Sequence, residues 1–394
     1  MKKFLLIFSL AVLLTSNLFA GFFDKRFFEM KVGTDVSFSN NVISANDILK
    51  KDLVIDLRKI ADETPESGLN IFLGAQPTYE LNVNILNVTV GVHTGLDVYE
   101  KMTISKDLFD LLGKGNAKGE VIEVGLNNYL DAFGHADLNV GFKIAKFNIY
   151  ARPCLFVPLA SAYGRAGKVS LLNNDDGDVI ANLNMDFNIY TPINLKDPSK
   201  IDISDFGWGV DLEAGASLPL TRRVTLSADT RIPLMPGEFK KVINMKYNFD
   251  YKVNVQKMSD AKEPESISPE FSDPVEALYK INRPIFLNGY IDYMPIGKLL
   301  DLRAGAGFGV NHPFMEDAFW YPQYYLGMKL NLINLFKLGL STEYTKENFK
   351  HQAAVTLNLR LIQLDLGVSA QSASFIKSFA SAGLGAFAYV TVGF

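Results

Sequence analysis

The sequence predicts an all-β protein: a closed antiparallel transmembrane β-barrel of about fourteen strands, sixteen being the other count the pattern allows. Three observations predict it. The chain opens on an export segment, alternates apolar and polar residues along most of its 394 positions, and ends in a strand that closes on an aromatic residue.

The export segment comes first. Lys2 and Lys3 form a basic start, Phe4 to Thr15 an apolar stretch, and Asn17-Leu18-Phe19-Ala20 places a small residue at a cleavage point. Residues 1–20 read as a secretory signal peptide, and residues 21–394 as a single barrel domain. Gly21 stands where a lipoprotein would carry cysteine, so no acyl anchor is expected. The longest later uncharged run, Ser378–Phe394, is 17 residues. That is just under the ~18 a membrane-crossing helix needs, and it alternates large with small side chains.

Composition excludes other classes. The formal charge is −4 with no polybasic run, which argues against nucleic acid. The single cysteine, Cys154, rules out an internal disulfide framework and a cysteine metal cluster. His93, His135, His312 and His351 never fall at HxxxH or HxH spacing, so neither a His-based metal centre nor a cofactor is expected.

The alternation carries the fold. Phe28, Met30, Val32, Thr34, Val36 and Phe38 interleave with Glu29, Lys31, Gly33, Asp35 and Ser37; the stretch from Asn70 to Ile85 repeats the pattern. Period two gives each strand one apolar and one polar face. Soluble strands average about 5–6 residues, whereas a transmembrane strand needs ~9–11. The apolar face is therefore assigned to lipid and the polar face to a lumen.

Turn lengths order the strands. Short connections at Leu86-Asn87, Ala145-Lys146, Thr221–Arg223, Pro295–Lys298, Ile333–Leu335 and Ile362-Gln363 alternate with long ones. Short turns belong to the periplasmic end of such barrels and long loops to the outside. The strands expected are Phe27–Ser39, Asn70–Ile85, Val88–Ile104, Tyr129–Ile144, Phe147–Ala162, Gly207–Leu220, Val224–Leu234, Ile285–Met294, Leu299–Val310, Phe319–Leu332, Phe336–Thr345, Phe349–Leu361, Leu364–Ser372 and Ala380–Phe394. Val179–Tyr190 and Phe239–Val253 also alternate. They either pair as a ribbon beyond the membrane or add two strands to the barrel. Within the long loops, Ser44–Asp62 reads as a helix with Leu49, Leu53, Leu57 and Ile60 on one stripe, and Ser105–Gly113 as a second, short one. The proline-rich acidic stretch Ser259–Glu276 reads as a mobile loop.

Register arithmetic then places the lumen, because residues opposite each other share a face. Short turns set Glu80 opposite His93, Glu213 opposite Arg231, Asp292 opposite Arg303, and Arg360 opposite Asp365. Arg152 faces Asn139, with Asp137 diagonal to it. These are the expected lumen-lining residues. Tyr79, Phe147, Trp208, Tyr293, Trp320, Tyr324, Phe336, Tyr344 and Phe394 fall on the outer face, as an aromatic girdle does. By the same register Tyr344 faces His351, with Ser372 diagonal. An outer-surface Ser–His pair is what an outer-membrane phospholipase uses, but no residue on that face orients His351, so no enzyme is expected.

The final strand sets Ala386, Ala388, Val390, Val392 and Phe394 on one face. This ending resembles the signature of Gram-negative-type outer-membrane barrels, spirochaete ones among them. The resemblance implies residence in the outer membrane, insertion by the barrel-assembly machinery, and Phe394 as the assembly signal. The strand count is similar to that of the fourteen-strand fatty-acid transporter barrels. Those carry an N-terminal hatch. Here only Gly21–Arg26 precede the first strand, so the Ser44–Asp62 helix would have to take the plugging role. The function expected is a channel or transporter passing small or hydrophobic solutes passively, with lipid and a small or lipid-like solute as partners. The other reading is a non-conducting surface barrel whose long loops bind a host or partner molecule.

Overall fold

The computed structural model describes residues 26–43, 56–115, 121–173, 178–197, 202–254, 269–315, 318–333, 335–379 and 383–394. The expected signal peptide, most of the Ser44–Asp62 helix and residues 259–268 of the acidic stretch lie outside them.

Among the described residues eighteen strands run in chain order: β1 (Phe28–Asn40), β2 (Leu69–Ile85), β3 (Val88–Ile104), β4 (Val121–Ile144), β5 (Phe147–Asn173), β6 (Asp178–Tyr190), β7 (Gly209–Pro219), β8 (Val224–Met235), β9 (Gly237–Asn254), β10 (Glu270–Phe271), β11 (Val275–Ile281), β12 (Ile285–Tyr293), β13 (Leu300–Asn311), β14 (Phe319–Ile333), β15 (Phe336–Thr345), β16 (Asn348–Asn358), β17 (Ile362–Ser372) and β18 (Gly383–Gly393). Fourteen of them pair antiparallel in a closed circuit that skips β6, β9, β10 and β11. The circuit ends where β18 returns to β1, from Glu29↔Gly393 to Phe38↔Leu384. β6 pairs over its whole length with β9, Asp178↔Asn254 to Tyr190↔Val242, as a ribbon continuing from the far end of β5. The count is therefore fourteen. β10 and β11 pair with β9, so the far end of the acidic stretch is strand rather than mobile loop.

The alternation does what its period demands. Val32, Val36 and Phe38 on β1, Val88, Val90 and Val92 on β3, and Leu366 and Val368 on β17 all point outward and are exposed to the membrane side. Of the expected girdle, Tyr79, Phe147, Trp208, Tyr293, Trp320, Tyr324 and Phe394 are exposed there as well. Among the described residues no helix is long and apolar enough to cross a membrane, which says nothing of strands.

The wall is uneven in height. β4 and β5 have 24 and 27 residues, whereas β12, β15 and β16 have 9, 10 and 11. All the excess of β4 and β5 projects at the long-loop end. Two helices pack against each other there: α1 (Leu57–Glu63), capped by Asp56 Oδ1 accepting from the Lys59 amide, and α2 (Lys106–Lys114). Hydrogen bonding to Asp110 and to Asp62 on α1 holds the Lys114 ammonium above the ordinary lysine range.

Two registers differ from the sequence expectation. The last short turn spans Leu359–Leu361 rather than Ile362-Gln363. Asn358 Oδ1 accepts from the Arg360 amide at 3.1 Å, and Arg360 takes a left-handed φ of +69°. This moves the pairing by four residues and preserves the faces, so Asp365 lies opposite Thr356 and hydrogen-bonds to it, while Arg360 sits in the exposed turn and not in the lumen. Tyr344 faces Phe349, and His351 faces Thr342, because the turn is the two-residue Lys346-Glu347.

Candidate functional site

The candidate site is the lumen, and it is built in layers because inward residues recur every second position on each strand. On β4 the inward column runs Asp131, Phe133, His135, Asp137, Asn139, Gly141 and Lys143 from the long-loop end downward. On β3 it runs Lys101, Tyr99, Asp97, Gly95, His93, Gly91 and Thr89.

At the long-loop end three short links from the low side of the wall cross to these two columns. Between β13 and β14, His312 is 1% exposed and its Nε2 lies 2.9 Å from Asp131 Oδ2, with its ring stacked on Tyr129 at 4.9 Å. The β15–β16 turn places Lys346 Nζ 3.8 Å over the Tyr99 ring and Glu347 Oε2 2.7 Å from Lys101 Nζ. Both of its residues hold left-handed φ, +48° and +63°, which costs a non-glycine residue about 1–2 kcal/mol. Between β11 and β12, Arg283 is 2% exposed. Its Nη2 donates to Asp97 Oδ2 at 3.0 Å, its Nη1 to Asp211 Oδ2 at 3.1 Å, and Nη1 lies 2.9 Å from Cys154 Sγ. Each link reaches a strand at least five neighbours away around the circuit, so each is a chord across the lumen. Beside them Phe133, Phe156, Phe239 and Ile281 form a buried apolar cluster. Gly209 permits it: a Cβ there would lie 2.2 Å from the Phe156 ring.

Below Arg283 lie His93, His135 and Asp137. His93 Nδ1 is 2.7 Å from Asp137 Oδ2, and His135 Nδ1 is 3.3 Å from Asp137 Oδ1. One step further down, Glu213 sits between two guanidiniums, Arg152 Nη1 and Arg231 Nη2, each at 3.4 Å, and Arg152 Nε donates to Asn139 Oδ1 at 3.3 Å.

The rest of the lumen is open. A cavity of about 1420 Å³ is lined by Asn139, Tyr150, Arg152, Asp229, Tyr290, Arg303, Tyr325 and Glu343 among others, and it reaches the short-turn residues Leu86 and Asn87. Arg303 forks onto Asp292, Nε to Oδ1 at 2.6 Å and Nη2 to Oδ2 at 3.0 Å, and lies over the Tyr290 ring at 5.2 Å.

Of the residues singled out from sequence, Glu80, His93, Arg152, Glu213, Arg231, Asp292, Arg303 and Asp365 occupy inward positions, and Arg360 does not. Glu80 is opposite His93, but its ion pair is with Lys31 at 3.9 Å, while His93 turns to Asp137. Sequence reasoning missed Asp97, Asp211, Arg283 and His312 as crossing residues. Asp97 and Asp211 share the parity of the inward His93 and Glu213, but nothing local says that a link residue such as Arg283 folds inward. On the outer face, His351 Nδ1 bonds Thr342 Oγ1 at 2.9 Å and its ring stacks on Phe379 at 4.1 Å, while the buried Ser372 donates to the Asn40 carbonyl. The Ser–His pair is not assembled.

Fold and lumen together define a fourteen-strand transmembrane β-barrel with a polar lumen, crossed by a buried layer at one end and open at the other. No family model matches the chain, and no curated protein matches its sequence. Among solved structures, the toluene transporter TodX of P. putida is similar over 95% of this chain and 91% of its own, with TM-score 0.51 and 10% identity. A TodX deletion mutant, described as a monoaromatic hydrocarbon channel, is similar over 94% and 91%, with TM-score 0.50 and 9% identity. At such identity the likeness is one of fold: the chain shares its fourteen-strand barrel architecture with these structures.

Proposed function

We propose that the protein is an outer-membrane channel through which small or hydrophobic solutes pass passively, entering through a long-loop end that is closed at rest. The observation that carries this is the pairing of a 1420 Å³ cavity, reaching the short-turn end, with a layer of side-chain ion pairs that, among the described residues, crosses the other end. Such a layer opens by side-chain and link movement. The fold likeness to a toluene transporter supports hydrophobic cargo. The charged cavity lining adds room for a polar group on that cargo.

The test is planar-bilayer conductance of the purified barrel, with uptake of toluene and of benzoate into proteoliposomes. Wild-type protein or an Arg283→Ala variant, which removes the cation crossing the long-loop end, showing stepwise conductance or uptake above empty liposomes supports the channel. Neither signal from either protein would overturn it. That result favours the second reading, a surface barrel whose β6–β9 ribbon, standing beyond the fourteen-strand wall, presents a binding face. Residence in the outer membrane is checked separately: the chain should fractionate there and migrate differently before and after heating. Deleting Phe394 should impair assembly, since its backbone exchanges hydrogen bonds with Phe28 at 3.1 and 3.2 Å and its ring stacks on Phe28 at the β18–β1 seam.

A further inference from the structure

Two histidines 42 residues apart in sequence and one aspartate meet on adjacent strands inside the lumen. β3 and β4 pair so that His93 is opposite Asp137 and Gly95 is opposite His135. The missing side chain at Gly95 matters, because a Cβ there would lie 2.7 Å from His135 Nε2; glycine lets the imidazole lie across β3. One ligand-type atom from each of His93, His135 and Asp137 falls within 4.8 Å of the others. Their side chains are 17%, 3% and 6% exposed.

We propose that His93, His135 and Asp137 bind a divalent transition cation inside the lumen. Two imidazole nitrogens and one carboxylate are the donor set of borderline ions such as zinc and cobalt, not of calcium or magnesium, which take oxygen. Metal–nitrogen and metal–oxygen bonds of about 2.0–2.2 Å put two ligands on one ion roughly 3–3.5 Å apart. The Asp137–His93 and Asp137–His135 separations, 2.7 and 3.3 Å, are already close to that range. The third pair, His93 to His135, stands within 4.8 Å, and binding would require the two rings to turn toward each other.

Local charge favours a cation. Nearest the triad, three carboxylates, Asp97, Asp137 and Asp211, share the Arg283 guanidinium, with Arg231 the next cation within reach of Asp97 and Asp211. Asp97 Oδ2 also stands 3.9 Å from His135 Nε2, on the far side of the ring from Asp137. Among the described residues, His312 and His351 join no such three-ligand group. Access runs from the open cavity, whose lining includes Asn139, the next inward residue below Asp137. Three protein ligands leave the remaining coordination positions facing the lumen.

The experiment uses the full chain without a histidine tag, purified in detergent, stripped with a chelator and shown folded by heat-modifiable migration. It is titrated with Zn²⁺ by calorimetry and with Co²⁺ by visible absorption, which reports nitrogen and oxygen ligation directly. One stoichiometric site with a Co²⁺ band is expected. His93→Gln with His135→Gln should weaken Zn²⁺ binding by more than about 100-fold, beyond the ~10–100-fold typical of losing an outer hydrogen-bond partner. His312→Gln should leave it unchanged. If the double variant fails to fold, Asp137→Asn, which keeps the shape and removes the charge, takes its place with the same expectation. Wild-type protein that takes up no Zn²⁺ or Co²⁺ stoichiometrically overturns the proposal and leaves a hydrogen-bonded triad only, as does a folded double variant or Asp137→Asn variant that binds as tightly as wild type.

Discussion

The two halves of the lumen are lined by inward faces of one barrel wall and by the same kinds of residue, yet they differ in what their charges are worth. In the long-loop half Arg283 and Asp211 are 2% and 1% exposed as side chains, and their pair lies beneath crossing links. In the short-turn half Arg303 makes a better fork onto Asp292, but its side chain is 46% exposed and looks into a cavity. Geometry alone would rank the second pair higher. Burial reverses the ranking, because a charge already out of water cannot replace a lost partner with solvent. The difference teaches that the barrel wall is held by strand pairing, while the layer crossing one end is held by a few buried ions.

The strongest way to break the comparison is Arg283→Ala. It strands Asp97 and Asp211 without their cation and should destabilise the protein by about 3–5 kcal/mol, the usual cost of removing one partner from a buried pair. Urea titration followed by heat-modifiable migration measures it. The same variant loosens the plug, so conductance should rise above wild type in the bilayer. Stability within 1 kcal/mol of wild type and unchanged conductance would show that Arg283 does not hold the closed end.

A matched pair sharpens the contrast. Asp211→Ala should cost about 3 kcal/mol or more, and Asp292→Ala about 1 kcal/mol or less, since the half-exposed Arg303 can turn to water. Equal losses in the same urea titration would mean that the two halves are equally dry. In bilayers, Arg303→Glu should shift ion selectivity toward cations with little loss of stability, because it changes the lining of the open half. An unchanged reversal potential would remove Arg303 from the pathway.

The smallest effect lies outside both halves. Arg360 occupies the exposed short turn at φ +69°, outside the lumen, where its backbone is strained. Arg360→Gly relieves that conformation and should stabilise by about 1 kcal/mol, seen as a small upward shift of the urea midpoint. Destabilisation would indicate that the guanidinium makes a contact which outweighs the strain.

The class of the fold was legible in the residues because lipid punishes error on one face of every strand. Val32, Val90 and Leu366 can only point out, and Glu213, Arg231, Asp292 and Arg303 can only point in, so period two and short turns between them determine the wall, the faces and most facing pairs. Register failed by four residues at Arg360, where Asn358 closes the turn locally and the faces survive any even shift. What only the tertiary structure decided is the plug. Arg283, His312 and Lys346 sit in connections with no alternation to orient them, and whether such a link lies over the rim or crosses the lumen depends on Asp97, Asp211 and Asp131, which approach from strands far away in sequence. The meeting of His93 with His135 and Asp137 is of the same kind. A motif search reads spacing along one strand, whereas this cluster is made by the register between two.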